Sequence, residues 1–180
     1  AMIQNGVCYN QDLREVTASI QSQSNHDVQN QLKLQYLSVA LFNGTFSYKN
    51  STGLKEYSNF TAIDFDRFNN ELEFNEVRSR LCNTPCVYAV FRTPSGRGLK
   101  AIVMHDNDNP EYHEELYLQL LSKFNTPATD TSVGDIARGN YICYDPNLWV
   151  NSNCVSYNFV HNPQYINNKV IASHTGTLDK

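Results

Sequence analysis

The stretch Phe60-Thr61-Ala62-Ile63-Asp64-Phe65-Asp66 constrains this chain more than any other. Alternate residues of a β-strand share a face. Asp64 and Asp66 therefore project side by side from a strand end, while Ile63 and Phe65 point into a core. Neighbouring carboxylates repel unless positive charge sits between them. A divalent metal pair about 3.5–4 Å apart is a common answer, and it clamps the attacking and leaving oxygens of a phosphoryl transfer. On spacing alone the pair reads more readily as two acids exposed to water at a strand terminus, so other segments must decide.

The chain has 180 residues, which fits one domain with a substantial core. Its 41% hydrophobic content, with 11 Tyr and 9 Phe, reads as globular. No apolar run is long enough to span a membrane, and the N-terminus shows no secretory signal. Ala1 ahead of Met2 reads as an expression remnant, with the native start at Met2 or further upstream. Five cysteines without a repeating framework, in a chain expected to be cytoplasmic, read as reduced thiols. Cys82 and Cys86 are spaced to join His105 or His113 around zinc, but no second pair completes a tetrahedron. Without secretion the sequons at Asn43, Asn50 and Asn59 carry no weight. A net charge of −4 argues against bulk electrostatic coating of nucleic acid, though not against a local basic track.

Residues 7–35 are Gln/Asn/Ser-rich and weakly periodic, which predicts a short helix or strand. Leu37–Phe42, Asn43-Gly44 and Thr45–Tyr48 predict a hairpin closed by a type I′ turn. A strand is expected over 60–66, and a helix over Asn70–Leu81. In that helix Asn70 caps, Glu73 takes the capping-box position, and Phe74, Val77 and Leu81 share a face. Strands follow at Val87–Arg92 and Leu99–Met104. Asn109-Pro110 opens a helix presenting Tyr112, Leu116, Leu120 and Phe124. Tyr141–Tyr144 is a short strand; beyond 155 the pattern is weak, with a strand near Val170–Ala172. Interleaved strands and helices with hairpins predict an α+β domain with an antiparallel or mixed sheet.

Two further segments carry chemistry. In Ser95-Gly96-Arg97-Gly98-Leu99-Lys100 the glycines let backbone approach a ligand, while Ser95, Arg97 and Lys100 supply a hydroxyl and positive charge for phosphate oxygens. The P-loop pattern is absent, and the segment also reads as a plain hairpin turn. The run Val133–Tyr141, followed by Asp145-Pro146, offers Asp135 as a further metal ligand and the Arg138 fork for phosphate; a solvated loop is the plainer alternative. Together, an acid pair, a basic Gly-rich turn and a further Asp/Arg element suit metal-dependent nucleotidyl chemistry with Mg²⁺.

Five stretches then carry a resemblance: Tyr36–Phe46, Ala62–Asp66, Phe91–Val103, His113–Phe124 and Gly134–Asn151. Together, over about residues 36–153, they resemble the N-terminal domain of virulence-associated protein E and its Bacteroidetes relatives, in the archaeo-eukaryotic primase superfamily. The resemblance implies a primase-polymerase fold with an RNA-recognition-motif-like sheet flanked by helices, and a smaller N-terminal α/β unit holding the 37–48 hairpin. It places Asp64, Asp66 and Asp135 as metal ligands for Mg²⁺ or Mn²⁺, with Asp145 the rival third acid. It places Ser95, Gly96, Arg97, Gly98 and Lys100 on the incoming triphosphate, with Arg138 facing the nucleotide. Lys100 stands where many members have His; it keeps the charge but is no proton shuttle near neutral pH.

The expected activity is template-directed transfer of a nucleotide to a 3′-hydroxyl during replication of a mobile element, phage or related replicon. The expected partners are nucleoside triphosphates, a single-stranded template and a helicase domain or protein, with no membrane; the domain is read as one unit, 1–180, compatible with a place at the N-terminal end of a longer protein. Two rivals stay open: a non-catalytic nucleotide or single-stranded DNA binding module serving a helicase, and a metal-dependent nuclease.

Overall fold

A computed structural model of the chain describes residues 2–8, 11–66, 68–130 and 134–165. In chain order it runs α1 (Met2–Asn5), β1 (Val7–Cys8), β2 (Gln11–Asp12), α2 (Leu13–Ser22), α3 (His26–Tyr36), β3 (Val39–Ala40), β4 (Gly44–Phe46) and β5 (Leu54–Tyr57). It continues with β6 (Phe60–Phe65), α4 (Glu71–Cys82), β7 (Val87–Arg92), β8 (Leu99–Met104), α5 (His113–Lys123), β9 (Asn140–Tyr141) and β10 (Trp149–Val150). The main sheet has the order β10-β7-β8-β6, and every neighbouring pair is antiparallel. Mixed α/β structure with antiparallel sheets flanked by helices is thus the observed class. No helix among the described residues is long and apolar enough to cross a membrane.

The alternation along β6 divides the sheet as expected. Ile63 and Phe65 are fully buried against Phe74, Val77 and Leu81 of α4 and Leu116 and Leu120 of α5. Each such side chain contributes about 1.5–3 kcal/mol of burial. On the opposite face Ala62, Ala89, Phe91 and Ile102 pack with Ile3, Phe42 and Leu148. Asp64 and Asp66 continue that second face beyond Ala62, so the sheet's far side turns from apolar to charged toward the end of β6. A separate cluster of Leu13, Ile20, Leu37, Ile142 and Cys143 ties the α2–α3 helices to the segment after β9.

Helix α4 starts where its cap dictates: Asn70 Oδ1 accepts from Glu73 N at 2.9 Å. Glu73 reaches back to Asn69 N at 2.8 Å, one residue before the cap. Asn109-Pro110 opens a 3-10 turn over Pro110–Tyr112, and α5 proper begins at His113. The polar stretch before residue 36 holds two helices, capped by Asp12 and Asn25.

The 37–48 hairpin does not form. β3 pairs with β9, and β4 pairs with β5. Asn43, rather than turning in solvent, is buried, and its Nδ2 donates to the Ile136 carbonyl at 2.8 Å. Gly44 is needed for proximity, because a Cβ there would collide with the Glu56 carbonyl oxygen. The tail beyond 155 is bound to the domain first through Tyr157 N, which donates to Met104 O at 2.8 Å, and Phe159 N, which donates to Asp106 Oδ1 at 2.7 Å. It is then held through Glu115, which is wholly buried and accepts from His161 Nδ1 at 2.7 Å and from the Asn162 backbone N–H. The strand expected near 170–172 lies outside the described residues.

Candidate functional site

β6 and β8 pair in a register that sets Asp64 directly opposite Lys100. Both are almost wholly buried, and Lys100 Nζ donates to Asp64 Oδ1. Arg138 Nη2 donates to the second carboxylate oxygen, Asp64 Oδ2, at 2.6 Å. Lys100 Nζ also donates to Asn140 Oδ1 at 2.7 Å. The positive charge that Asp64 requires is therefore supplied from within the chain. Burial pulls the Lys100 ammonium below its ordinary pKa, and the Asp64 carboxylate opposes that shift. A buried pair of this kind is costly to break, at about 3–5 kcal/mol when one partner is removed.

Asp66 differs from its neighbour. It lies on the cleft wall and is exposed to solvent. Crowding by the surrounding protein, and then the Asp64 charge, push its carboxyl above the usual range. Gly98 lies beneath it: a Cβ at that position would collide with Asp66 Oδ1 and crowd Thr93 Oγ1. The second glycine of the basic turn thus makes room for an acid. The first, Gly96, adopts φ +75°, which the turn requires. Ser95, Gly96 and Arg97 line the same cleft as Asp64, Asp66, Lys100 and Arg138; its volume is about 670 Å³.

The other expected acids are not brought there. Asp135 is exposed and caps its own loop, accepting from Ala137 N at 3.0 Å. Asp145 is buried and holds backbone instead, accepting from Arg92 N at 2.7 Å and Asn147 N at 2.9 Å. Neither lines the cleft. The acid that does approach is Asp130, which the sequence reading passed over. The segment before it runs along the end of β6, with Asp66 N donating to Ala128 O and Asp130 N donating to Asp64 O, each at 2.9 Å. Asp130 Oδ2 lies 3.8 Å from Arg138 Nη2, so both acids share one guanidinium. Nothing in the loop's composition marked it, since it is a backbone pairing that brings Asp130 to the pair.

The donor chemistry of Asp64, Asp66 and Asp130, all carboxylate oxygens, suits a hard divalent cation. Among the described residues no three His, Cys, Asp or Glu side chains converge as a ready metal site, and that includes the cysteines and histidines considered for zinc. The four described thiols, Cys82, Cys86, Cys143 and Cys154, are free.

The cleft also has a wall made by α3, from which His26, Gln29 and Lys33 face it. The site therefore stands between three elements: the end of β6, the turn joining β7 to β8, and α3. Compared with known proteins, residues 31–149 match the family model of the BT4734-like N-terminal domain. No curated protein and no solved structure matches the chain.

Proposed function

The chain belongs to the BT4734-like N-terminal domain family, and we propose that its cleft binds a nucleoside triphosphate for transfer of the nucleotide to a 3′-hydroxyl on a single-stranded template, as a primase-polymerase does. The observation that carries this reading is the meeting of Asp64 and Asp66 with Ser95, Arg97, Lys100 and Arg138 in one cleft. Acids for a metal and cations for phosphate are needed within one ligand's length, and they are found so.

In this reading Asp66, open to the cleft, would take Mg²⁺ or Mn²⁺, with Asp64 and Asp130 as the neighbouring carboxylates. Bound there, the ion would supply Lewis acidity for the attacking hydroxyl and offset charge on the α-phosphate. The chain's own groups do the rest. The forks of Arg97 and Arg138 bind phosphate oxygens, the Ser95 hydroxyl adds a donor, and Lys100 holds Asp64 in place across the strand pair.

A second reading has its own support. Asp64 is already neutralised by Lys100 and Arg138, which is what a non-catalytic nucleotide-binding module would retain. The two readings share a first test, an equilibrium titration of a labelled nucleoside triphosphate with Mn²⁺. Both expect saturable binding, weakened about tenfold in Arg138→Gln by loss of a charge-assisted hydrogen bond. No saturable binding at millimolar nucleotide would contradict both, and incorporation then separates them.

A further inference from the structure

Four cations line the cleft, Lys33, Arg97, Lys100 and Arg138. Two are committed, because Lys100 and Arg138 are ion-paired with Asp64. Among the described residues neither Lys33 nor Arg97 forms a salt bridge. Lys33 and Arg97 therefore add to the cleft positive charge that no described carboxylate within 4 Å engages.

These two are held by α3. His26, Gln29 and Lys33 fall at helical spacing and present one face to the cleft. Gln29 is almost wholly buried, and its amide is fully oriented. Nε2 donates to Ile20 O at 3.0 Å and to Gln23 O at 2.9 Å, which fastens α3 to the end of α2. That leaves Oε1 pointing at the turn, where it accepts from Arg97 Nη2 at 2.9 Å. The two carbonyls fix which end of the amide faces Arg97, since the reversed amide would set oxygen against oxygen. Gly96 brings the turn against α2 as well, because a Cβ there would come within 3.1 Å of the Gln21 side chain. Lys33 is half-buried beside them, with Nζ donating to Asn30 Oδ1 at 3.2 Å. It feels the charges of both Asp66 and Arg97.

We infer that Lys33 and Arg97 form a clamp for the terminal phosphates of the bound nucleotide, and that Gln29 is the positioning residue that fixes the Arg97 guanidinium. The inference rests on the triphosphate reading of the cleft and assigns its polyphosphate end to α3. Arg97 brings a planar fork, Lys33 a point charge, and together they suit a chain of phosphates rather than a single carboxylate.

The test is calorimetric titration with inorganic tripolyphosphate and, separately, with a nucleoside triphosphate, on wild type, Lys33→Gln, Arg97→Gln, Gln29→Met and the Gln29→Met/Arg97→Gln pair. Lys33→Gln and Arg97→Gln should each weaken tripolyphosphate binding about tenfold. Gln29→Met should weaken it by a similar factor in wild type and by less than about twofold once Arg97 is gone, since a residue acting through another adds nothing in its absence. Equal losses in both backgrounds would show that Gln29 serves only the fold, and would overturn its positioning role. Nucleotide binding that survives unchanged in Lys33→Gln and Arg97→Gln would overturn the clamp and leave the nucleotide site standing. A wild type that binds neither ligand would remove the site itself. Should Gln29→Met fail to fold, having lost the link to α2, the two variants at less buried positions still decide the clamp.

Discussion

Asp64 and Asp66 look equivalent in the sequence and are not equivalent in the fold. Asp64 is buried between two cations, whereas Asp66 is open to the cleft. Asp64→Asn should therefore abolish activity and also destabilise the domain, by about 3–5 kcal/mol, because Lys100 would lose its buried countercharge. Asp66→Asn should abolish activity with an unchanged urea midpoint, and so is the cleaner probe. A stable Asp64→Asn would show that the buried ion pair is weaker than its geometry. Gly98→Ala gives an independent check. A methyl there strikes Asp66 Oδ1, so the variant should cost about 1–3 kcal/mol and weaken Mn²⁺ binding measured by electron paramagnetic resonance. Unaltered Mn²⁺ affinity would mean that Asp66 does not hold the ion.

At the scale of elements, β6, α4, β7 and β8 were legible because local signals and tertiary packing agree there. The period-two run at 60–65 and the face Phe74, Val77, Leu81 meet in one core. The 37–48 hairpin was misread because Asn-Gly is a local turn signal, and tertiary pairing of β3 with β9 outweighed it. No local pattern could have announced Asp130, which backbone bonding to β6 delivers, or α3, whose cleft-facing residues are polar and leave little hydrophobic periodicity. The segment after 155 gives no local signal either, since what holds it is scattered backbone and side-chain bonding to Met104, Asp106, Glu115 and Gln119. Glu115→Ala should leave the Asn162 N–H without its acceptor and remove one hydrogen bond each from the His161 ring and from the Gln119 amide, which keeps Val160 O, costing about 2–3 kcal/mol and increasing hydrogen exchange over residues 161–165. Exchange that stays at the wild-type level would show that those residues are held by other contacts.

For the whole molecule, pH acts through a buried polar cluster away from the acids. His113 Nδ1 pairs with Tyr57 Oη at 2.8 Å, and the His105 ring lies 5.7 Å from that of Tyr57. Burial pushes both imidazoles down to about 4 from 6.5, more than the nearby acids Asp106, Asp135 and Glu114 restore. Above pH 6.5 both are neutral whether the chain is folded or not. Below it the unfolded chain takes up protons that the folded chain refuses until pH nears 4, so stability falls across that window, by about 3 kcal/mol for each histidine. Urea titrations at pH 7 and pH 5 should show the loss, and His113→Gln should reduce it by about half; an unchanged slope in that variant would assign the effect elsewhere.

Incorporation of labelled nucleotides on a primed and an unprimed single-stranded template, with Mg²⁺ or Mn²⁺, reads out what the cleft does as a unit. Templated products from wild type and none from folded Asp66→Asn are the predicted result. Equal extension by both proteins, or saturable nucleotide binding with no extension by either, would contradict transfer at this site.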